Sequence, residues 1–294
     1  MSAKPSQPHR QGQPPSGGAN LYNYRPPQQP VSQNRLLDAL SERNLPPEEP
    51  ESPPPTLANA MFKGVFEFPF YLTSLGCLVG TSCGLAFSFF MLIFALDQGG
   101  QVGMTAIRTL GQSGFMAFIL TMGFAVAHCR SILEETAYGG DAVQNWPGFD
   151  WKGWILTFFF VAAVLGEATA LSYLLALPQL MGSPLPAVIL TFVLFPVFLL
   201  SALENDNPFI PIALPVLRSF KTVWWAWLLF YVMTAVLLAA WFVVALVGLA
   251  THPPGPYLSV FVSGPLFAVV MMIYARLLGR LTWCASQEDS DDDD

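Results

Sequence analysis

Glu167 is the residue whose type and position could most directly do chemistry. It lies near the middle of a long apolar stretch, in the run Gly166-Glu-Ala-Thr-Ala170. If that stretch crosses a membrane, a carboxylate at this depth is costly unless it is protonated, paired or hydrated. We expect no Lys or Arg at matching depth, which leaves Thr121 or Ser172 as polar partners. Glu167 is therefore either an intramembrane proton or cation site or a neutral carboxylic acid hydrogen-bonded within a bundle.

Ser113 lies in a second pattern that could do chemistry. The run Gly111-Gln-Ser-Gly114 resembles the Gly-x-Ser-Gly of intramembrane serine proteases of the rhomboid family, which also have a six-helix core. That resemblance implies Ser113 as the nucleophile, with His252 as its base. However, His252 stands in a turn before two prolines, and the sequence has no His-x-x-x-Asn pattern. Because a nucleophile needs its base within hydrogen-bond reach, we predict no catalytic residues and no enzymatic activity.

The other polar clusters do not form a convincing site. His128 and Cys129 offer two metal ligands, but no further His or Cys follows at a suitable spacing, so we predict no metal site. Glu134 and Glu135 with Asp141 could be paired carboxylates for acid and base chemistry, or a solvated helix face on which Arg130 pairs with Glu134 four residues along. The sequence contains no P-loop, no His-Glu-x-x-His and no Gly-x-Gly-x-x-Gly, so we expect no cofactor.

The composition indicates the elements that would hold these residues. Hydrophobic residues make up 53% of the chain and charged residues 11%, against roughly 45–50% and 25% in soluble domains. Apolar runs that are long enough to cross a bilayer favour membrane spans. The predicted fold class is therefore an all-α integral membrane protein. The six spans are predicted at about 70–96, 111–128, 154–177, 186–203, 224–249 and 257–278, within a membrane domain covering 56–284.

The positive charges predict an orientation. Of the 13 Lys and Arg residues, all but Arg108 fall on one side of the predicted membrane. By the positive-inside rule, that side is the cytoplasm, so both termini are cytoplasmic. We therefore expect a multi-pass protein of the cell's inner (cytoplasmic) membrane, with the lipid bilayer as its surroundings. The net charge of −7 and the lack of a basic stripe argue against nucleic acid.

Polar segments flank the predicted membrane domain. Residues 1–55 are rich in proline and are predicted to be a disordered cytosolic arm, and residues 285–294 form an acidic tail. Within the arm, Leu36, Leu37 and Leu40 have helical spacing, typical either of a short helix that docks on a partner or of a transient turn. Amphipathic segments at about 56–67 and 212–223 are predicted to lie at the membrane interface.

Two surfaces could bind proteins. A stripe of small residues on the first span lets another helix approach closely, either within the bundle or across a homodimer; it comprises Gly76, Gly80, Gly84 and Ser88. The second surface is the aromatic hairpin after the double glycine at 139–140, with Trp146, Phe149 and Trp151 as candidate cytosolic interaction residues.

Three short motifs suggest a family. They are Tyr138-Gly-Gly, Trp146-Pro-Gly-Phe149 and Arg276-Leu-Leu-Gly-Arg280. Together they resemble uncharacterised bacterial multi-pass proteins with domains of unknown function, broadly similar to Yip1-like membrane proteins. The resemblance implies neither substrate nor catalytic residues. We therefore predict a non-enzymatic membrane scaffold or interaction component, with a small secondary transporter or permease using Glu167 as the alternative.

Overall fold

Long apolar helices make up most of the part of the chain that the structure describes. The computed structural model describes residues 61–97, 104–176, 183–210, 212–250 and 255–291. Six helices there are long and apolar enough to cross a membrane, as the sequence predicts: α1 (Leu72–Asp97), α2 (Met104–Ala137), α3 (Trp151–Ala176), α4 (Leu185–Glu204), α6 (Trp224–Ala250) and α7 (Gly255–Asp291). A short helix, α5 (Leu214–Thr222), precedes α6, and a 3-10 turn (Phe68–Phe70) precedes α1. The cytoplasmic placement of the termini stays a prediction.

Helix α7 is the helix on which much of the bundle packs. It contacts α1, α2 and α6, while α3 lies between α2 and α4. A glycine makes the close approach of α7 to α2 possible: a Cβ atom on Gly279 would lie only 2.7 Å from the carbonyl oxygen of Leu133 in α2. Small residues are the usual means by which membrane helices approach this closely.

The small-residue stripe of α1 faces α2 over most of its length. A Cβ atom on Gly80 would lie 3.1 Å from an aromatic ring of α2, and one on Gly84 would overlap the side chain of Thr121. Ser88 donates a hydrogen bond of 2.7 Å to the Gly84 carbonyl, which satisfies its hydroxyl within the helix. Gly76 has nothing within 4 Å of its Cβ position, so it is the open member of the stripe.

The short helix α5 packs against the start of α6. The indole Nε1 of Trp227 donates a hydrogen bond of 3.1 Å to the hydroxyl of Ser219, and the Phe220 ring stacks on the same indole. Arg218 and Lys221 are exposed on the opposite side. A buried face on one side and exposed positive charges on the other are typical of helices that lie at a membrane surface. The interfacial placement of α5 stays a prediction.

Several predicted boundaries differ from the helix ends. Helix α2 begins at Met104, before the predicted start at 111, and α7 continues to Asp291, past the predicted end at 278. The leucines at 36, 37 and 40, His252 and residues 292–294 lie outside the described residues.

Candidate functional site at the hairpin between α2 and α3

The hairpin, residues 139–150, begins where two glycines end α2. Gly139 has a φ of +83°, which a residue with a Cβ adopts only at a cost. Its N–H donates to the carbonyl of Thr136, and the N–H of Gly140 donates to the carbonyl of Glu135, both at 3.0 Å. These two bonds are the Schellman motif, which satisfies the last carbonyls of a helix and turns the chain.

Two arginines of α7 bind the residue that follows. Nη2 of Arg276 donates a hydrogen bond of 2.9 Å to the main-chain carbonyl of Asp141, and Nη2 of Arg280 binds its carboxylate. The Asp141 side chain is 62% exposed, whereas Arg276 is 1% and Arg280 5% exposed. The hairpin therefore closes over two buried guanidinium groups at the end of α7.

The guanidinium of Arg276 has few other polar contacts. Its Cζ lies 4.4 Å from the centre of the Phe68 ring, a cation–π contact that partly replaces water. In the part of the chain that the structure describes, its Nε and Nη1 and the Nε of Arg280 are buried without a hydrogen-bond partner. Asp141 is the one carboxylate that forms an ion pair with either arginine in these ranges.

The middle of the hairpin is fixed by a hydrogen-bonded carboxylate and by packing. Oε1 of Glu135 accepts hydrogen bonds from the main-chain N (3.3 Å) and the Nδ2 (2.7 Å) of Asn145. Val143 is 4% exposed, in a cluster that includes Ile132. The Trp146 ring packs on the same cluster, with its centroid 5.5 Å from that of the His128 ring. Trp146 therefore anchors the hairpin to α2.

The end of the hairpin presents two aromatic side chains to the outside. Asp150 caps α3: its Oδ1 accepts a hydrogen bond of 3.2 Å from the N–H of Lys152. Phe149 is 88% exposed and Trp151 50% exposed. The Phe149 ring forms a T-shaped contact with the Trp154 ring, with centroids 5.1 Å apart. The hairpin thus carries an aromatic side chain, Phe149, that the helices do not cover.

Each of the three carboxylates Glu134, Glu135 and Asp141 around the hairpin has its own partner. Glu134 accepts a hydrogen bond of 2.7 Å from Nε of Arg130, which confirms the pairing predicted from their spacing. Glu135 binds Asn145, and Asp141 binds the two arginines of α7.

The other residues with possible chemistry are engaged within the helices. Ser113 donates a hydrogen bond of 2.9 Å to the carbonyl of Thr109, one turn back in α2. Nδ1 of His128 lies 2.8 Å from the Phe124 carbonyl, and the Cys129 thiol lies 3.7 Å from the carbonyl of Met271. Among the described residues, no three His, Cys, Asp or Glu side chains are grouped as metal ligands.

Glu167 lies in α3 and is partly buried. Neither expected partner binds it: Ser172 donates to the carbonyl of Ala168, and Thr121 lies against Gly84 of α1. Within the described ranges, no hydrogen bond or ion pair is found at Glu167. Its role as an intramembrane polar site stays a prediction.

A cavity of about 330 Å³ lies between α2, α3, α4, α6 and α7. Its lining is almost wholly apolar, and Glu167 is not part of it. The hydroxyls of Thr157 and Thr191, which line it, donate to carbonyls of their own helices at 2.8 Å. Arg130 is the one charged side chain among the described lining residues.

The sequence interpretation missed the contacts of Arg276 and Arg280 with Asp141, because it used these arginines only for orientation and as a family motif. Their spacing of four residues places both on one face of a helix, and that signal was available. Their shared partner was not, because Asp141 lies 135 residues before Arg276.

The helices and the hairpin together define the class as a multi-pass helical membrane protein. No family model matches this chain, and no curated protein or solved structure matches it significantly. The resemblance to Yip1-like proteins therefore stays a prediction.

Proposed function

We propose that this protein is a non-enzymatic membrane component that binds a protein partner through the end of its hairpin. One observation carries the proposal: Phe149 is 88% exposed at the end of a loop that is held to the bundle at Asp141, Val143, Asn145 and Trp146. A large apolar side chain on an ordered loop is typical of a binding residue, since packing alone does not require it.

The contacts that hold the hairpin support this function. The glycine turn, the two arginines on Asp141 and the Glu135–Asn145 bonds each fix one part of the loop. A loop ordered before binding loses less conformational entropy when it binds, so its exposed aromatic side chains can contribute more to affinity.

The first prediction concerns covalent capture at Phe149. With a photo-crosslinking benzoylphenylalanine in place of Phe149 or Trp151, irradiation of cells should give the same protein adduct from both positions. Phe242 of α6, which is 54% exposed, is the matched control and should give lipid adducts only. Mass spectrometry of the purified adducts identifies the captured molecule.

The control also distinguishes a partner from the membrane surface. Aromatic side chains are enriched at membrane–water interfaces, where they anchor a protein without any partner. If positions 149 and 151 gave lipid adducts alone, the hairpin would be such an anchor and the proposed function would be wrong.

The alternative function is a small secondary transporter that uses Glu167. The observation that favours it is the lack of a hydrogen bond or ion pair at Glu167 within the described ranges, because unpaired carboxylates in membrane helices often mark ion pathways. The apolar cavity argues against it, since that cavity offers no polar path to the carboxylate.

The second prediction tests this alternative with Glu167→Gln. In proteoliposomes containing a trapped pH-sensitive dye, we expect both the wild type and Glu167→Gln to show the same proton flux as protein-free vesicles. Glu134→Gln, at an exposed helix surface, serves as the control for loss of a carboxylate. Proton flux in the wild type that Glu167→Gln alone abolishes would make the transporter the better function.

A further inference from the structure

The apolar cavity in the bundle has the properties of a binding site for a hydrocarbon chain. Its volume of about 330 Å³ is at the lower end of the roughly 300–1,000 Å³ typical of small-molecule sites. Aromatic and aliphatic side chains from facing helices surround it, among them Phe160, Leu199 and Met271.

Water is a poor occupant for this cavity. An ordered water needs about two to four polar partners, and apolar cavities without them stay dry. The two threonine hydroxyls in the lining already donate to their own helices. The thiol of Cys129, also in the lining, lies 3.7 Å from the carbonyl of Met271. The hydroxyl of Tyr274, also in the lining, is buried without a hydrogen-bond partner in the part of the chain that the structure describes. This one group is fewer than the about two to four polar partners that an ordered water needs.

Arg130 gives the cavity a charged end. It lies in the last part of α2 and belongs to the cavity lining, yet its side chain is 44% exposed. Its Nε donates to Glu134, and no bond from Nη1 or Nη2 is found in the part of the chain that the structure describes. These nitrogens can donate to a carboxylate or phosphate at the mouth of the cavity.

From this arrangement we infer that the protein binds an anionic single-chain amphiphile, with its hydrocarbon chain in the cavity and its charged head on Arg130. The cavity volume suits one chain, and the membrane around the bundle is a source of such molecules. Glu134 lowers the affinity, because its carboxylate competes with the ligand for the same guanidinium. This inference does not depend on the proposed partner.

The test measures binding of tritiated palmitate to the full-length protein in amphipol, which carries no free detergent chains. We expect saturable binding that unlabelled palmitate displaces more strongly than hexadecanol, its uncharged counterpart. Arg130→Gln should weaken palmitate binding about tenfold, or about 1.4 kcal/mol, and leave hexadecanol binding nearly unchanged, because it removes a charge-assisted hydrogen bond to the carboxylate alone. Glu134→Gln should strengthen palmitate binding, which a merely structural role of Arg130 would not produce.

Matched substitutions on α3 test the location of the chain. Val161→Phe projects into the cavity and should weaken both ligands, whereas Leu156→Phe lies outside the lining at 70% exposure and should weaken neither. Thermal midpoints show which variants are folded, and Arg218→Gln controls for loss of an exposed arginine. The inference is overturned by a lack of saturable binding or by equal effects of Val161→Phe and Leu156→Phe. Equal loss of palmitate binding in Arg130→Gln and Arg218→Gln would also overturn it.

Discussion

Asp141→Asn is expected to lower the free energy of unfolding by about 2–3 kcal/mol. The substitution keeps the size of the side chain and removes the charge that faces two buried guanidinium groups. Breaking a fully buried ion pair from one side costs roughly 3–5 kcal/mol, and the 62% exposure of the Asp141 side chain reduces that effect through solvent screening. Unfolding in mixed micelles with increasing sodium dodecyl sulfate, followed by tryptophan fluorescence, measures the change.

A second carboxylate of the same region is the matched control. Glu134 pairs with Arg130 at 2.7 Å, but both side chains are substantially exposed, at 38% and 44%. Surface pairs of this kind contribute little, so Glu134→Gln should change the free energy of unfolding by less than about 0.5 kcal/mol. Equal losses of unfolding free energy for Asp141→Asn and Glu134→Gln would contradict a stabilising role of the Asp141 charge beside the two buried arginines.

Arg280 provides a further test of the same prediction. Arg280→Met removes the buried guanidinium that binds the Asp141 carboxylate and keeps much of the apolar volume. Combined with Asp141→Asn, it should cost clearly less than the sum of the single substitutions, because the guanidinium that Asp141→Asn leaves without its carboxylate is then absent. Hydrogen exchange of the main-chain amides at 141–146 should rise in Asp141→Asn, which locates the effect in the hairpin.

The features that the sequence predicted are those fixed by local spacing. The six long apolar helices follow from the length of the hydrophobic runs. The hairpin after the double glycine at 139–140 follows from a main-chain conformation that favours glycine, and the pairing of Arg130 with Glu134 follows from helical geometry. None of these features needs knowledge of how the helices pack.

The features that escaped prediction depend on tertiary packing. Arg276 and Arg280 meet Asp141 only because α7 lies against α2, and nothing local in the sequence states that contact. The cavity depends on the spacing of helices whose facing side chains, such as Phe195 and Tyr274, touch without filling the space. A carboxylate at the centre of a predicted span can be recognised from the sequence, whereas a cavity between helices cannot.

Gly84→Val is expected to lower the free energy of unfolding by about 2–3 kcal/mol, in the upper part of the range for overpacked cores. The Cβ position of Gly84 is already occupied by the side chain of Thr121 in α2, including its Cβ at 3.0 Å. Thr121 is short and β-branched, so it has few alternative rotamers and α1 must move away. The same detergent titration measures the cost.

Gly76→Val is the matched control, because Gly76 belongs to the same stripe and the same helix but has nothing within 4 Å of its Cβ position. It should change the free energy of unfolding by no more than about 0.5 kcal/mol. A large loss at Gly76, accompanied by conversion of a dimer to a monomer in light scattering, would instead support the predicted homodimer surface.

The double variant of Gly84→Val with Thr121→Gly separates the effect of packing from the effect of helix propensity. If the overlap with Thr121 causes the loss at Gly84, then Thr121→Gly should restore most of the stability of Gly84→Val, because it removes the three atoms nearest to the Cβ position of Gly84. Taken alone, Thr121→Gly should be destabilising, since it leaves an unfilled gap between α1 and α2. Additive losses in the double variant would show that Gly84 is needed for the conformation of α1 itself and that its contact with α2 is incidental.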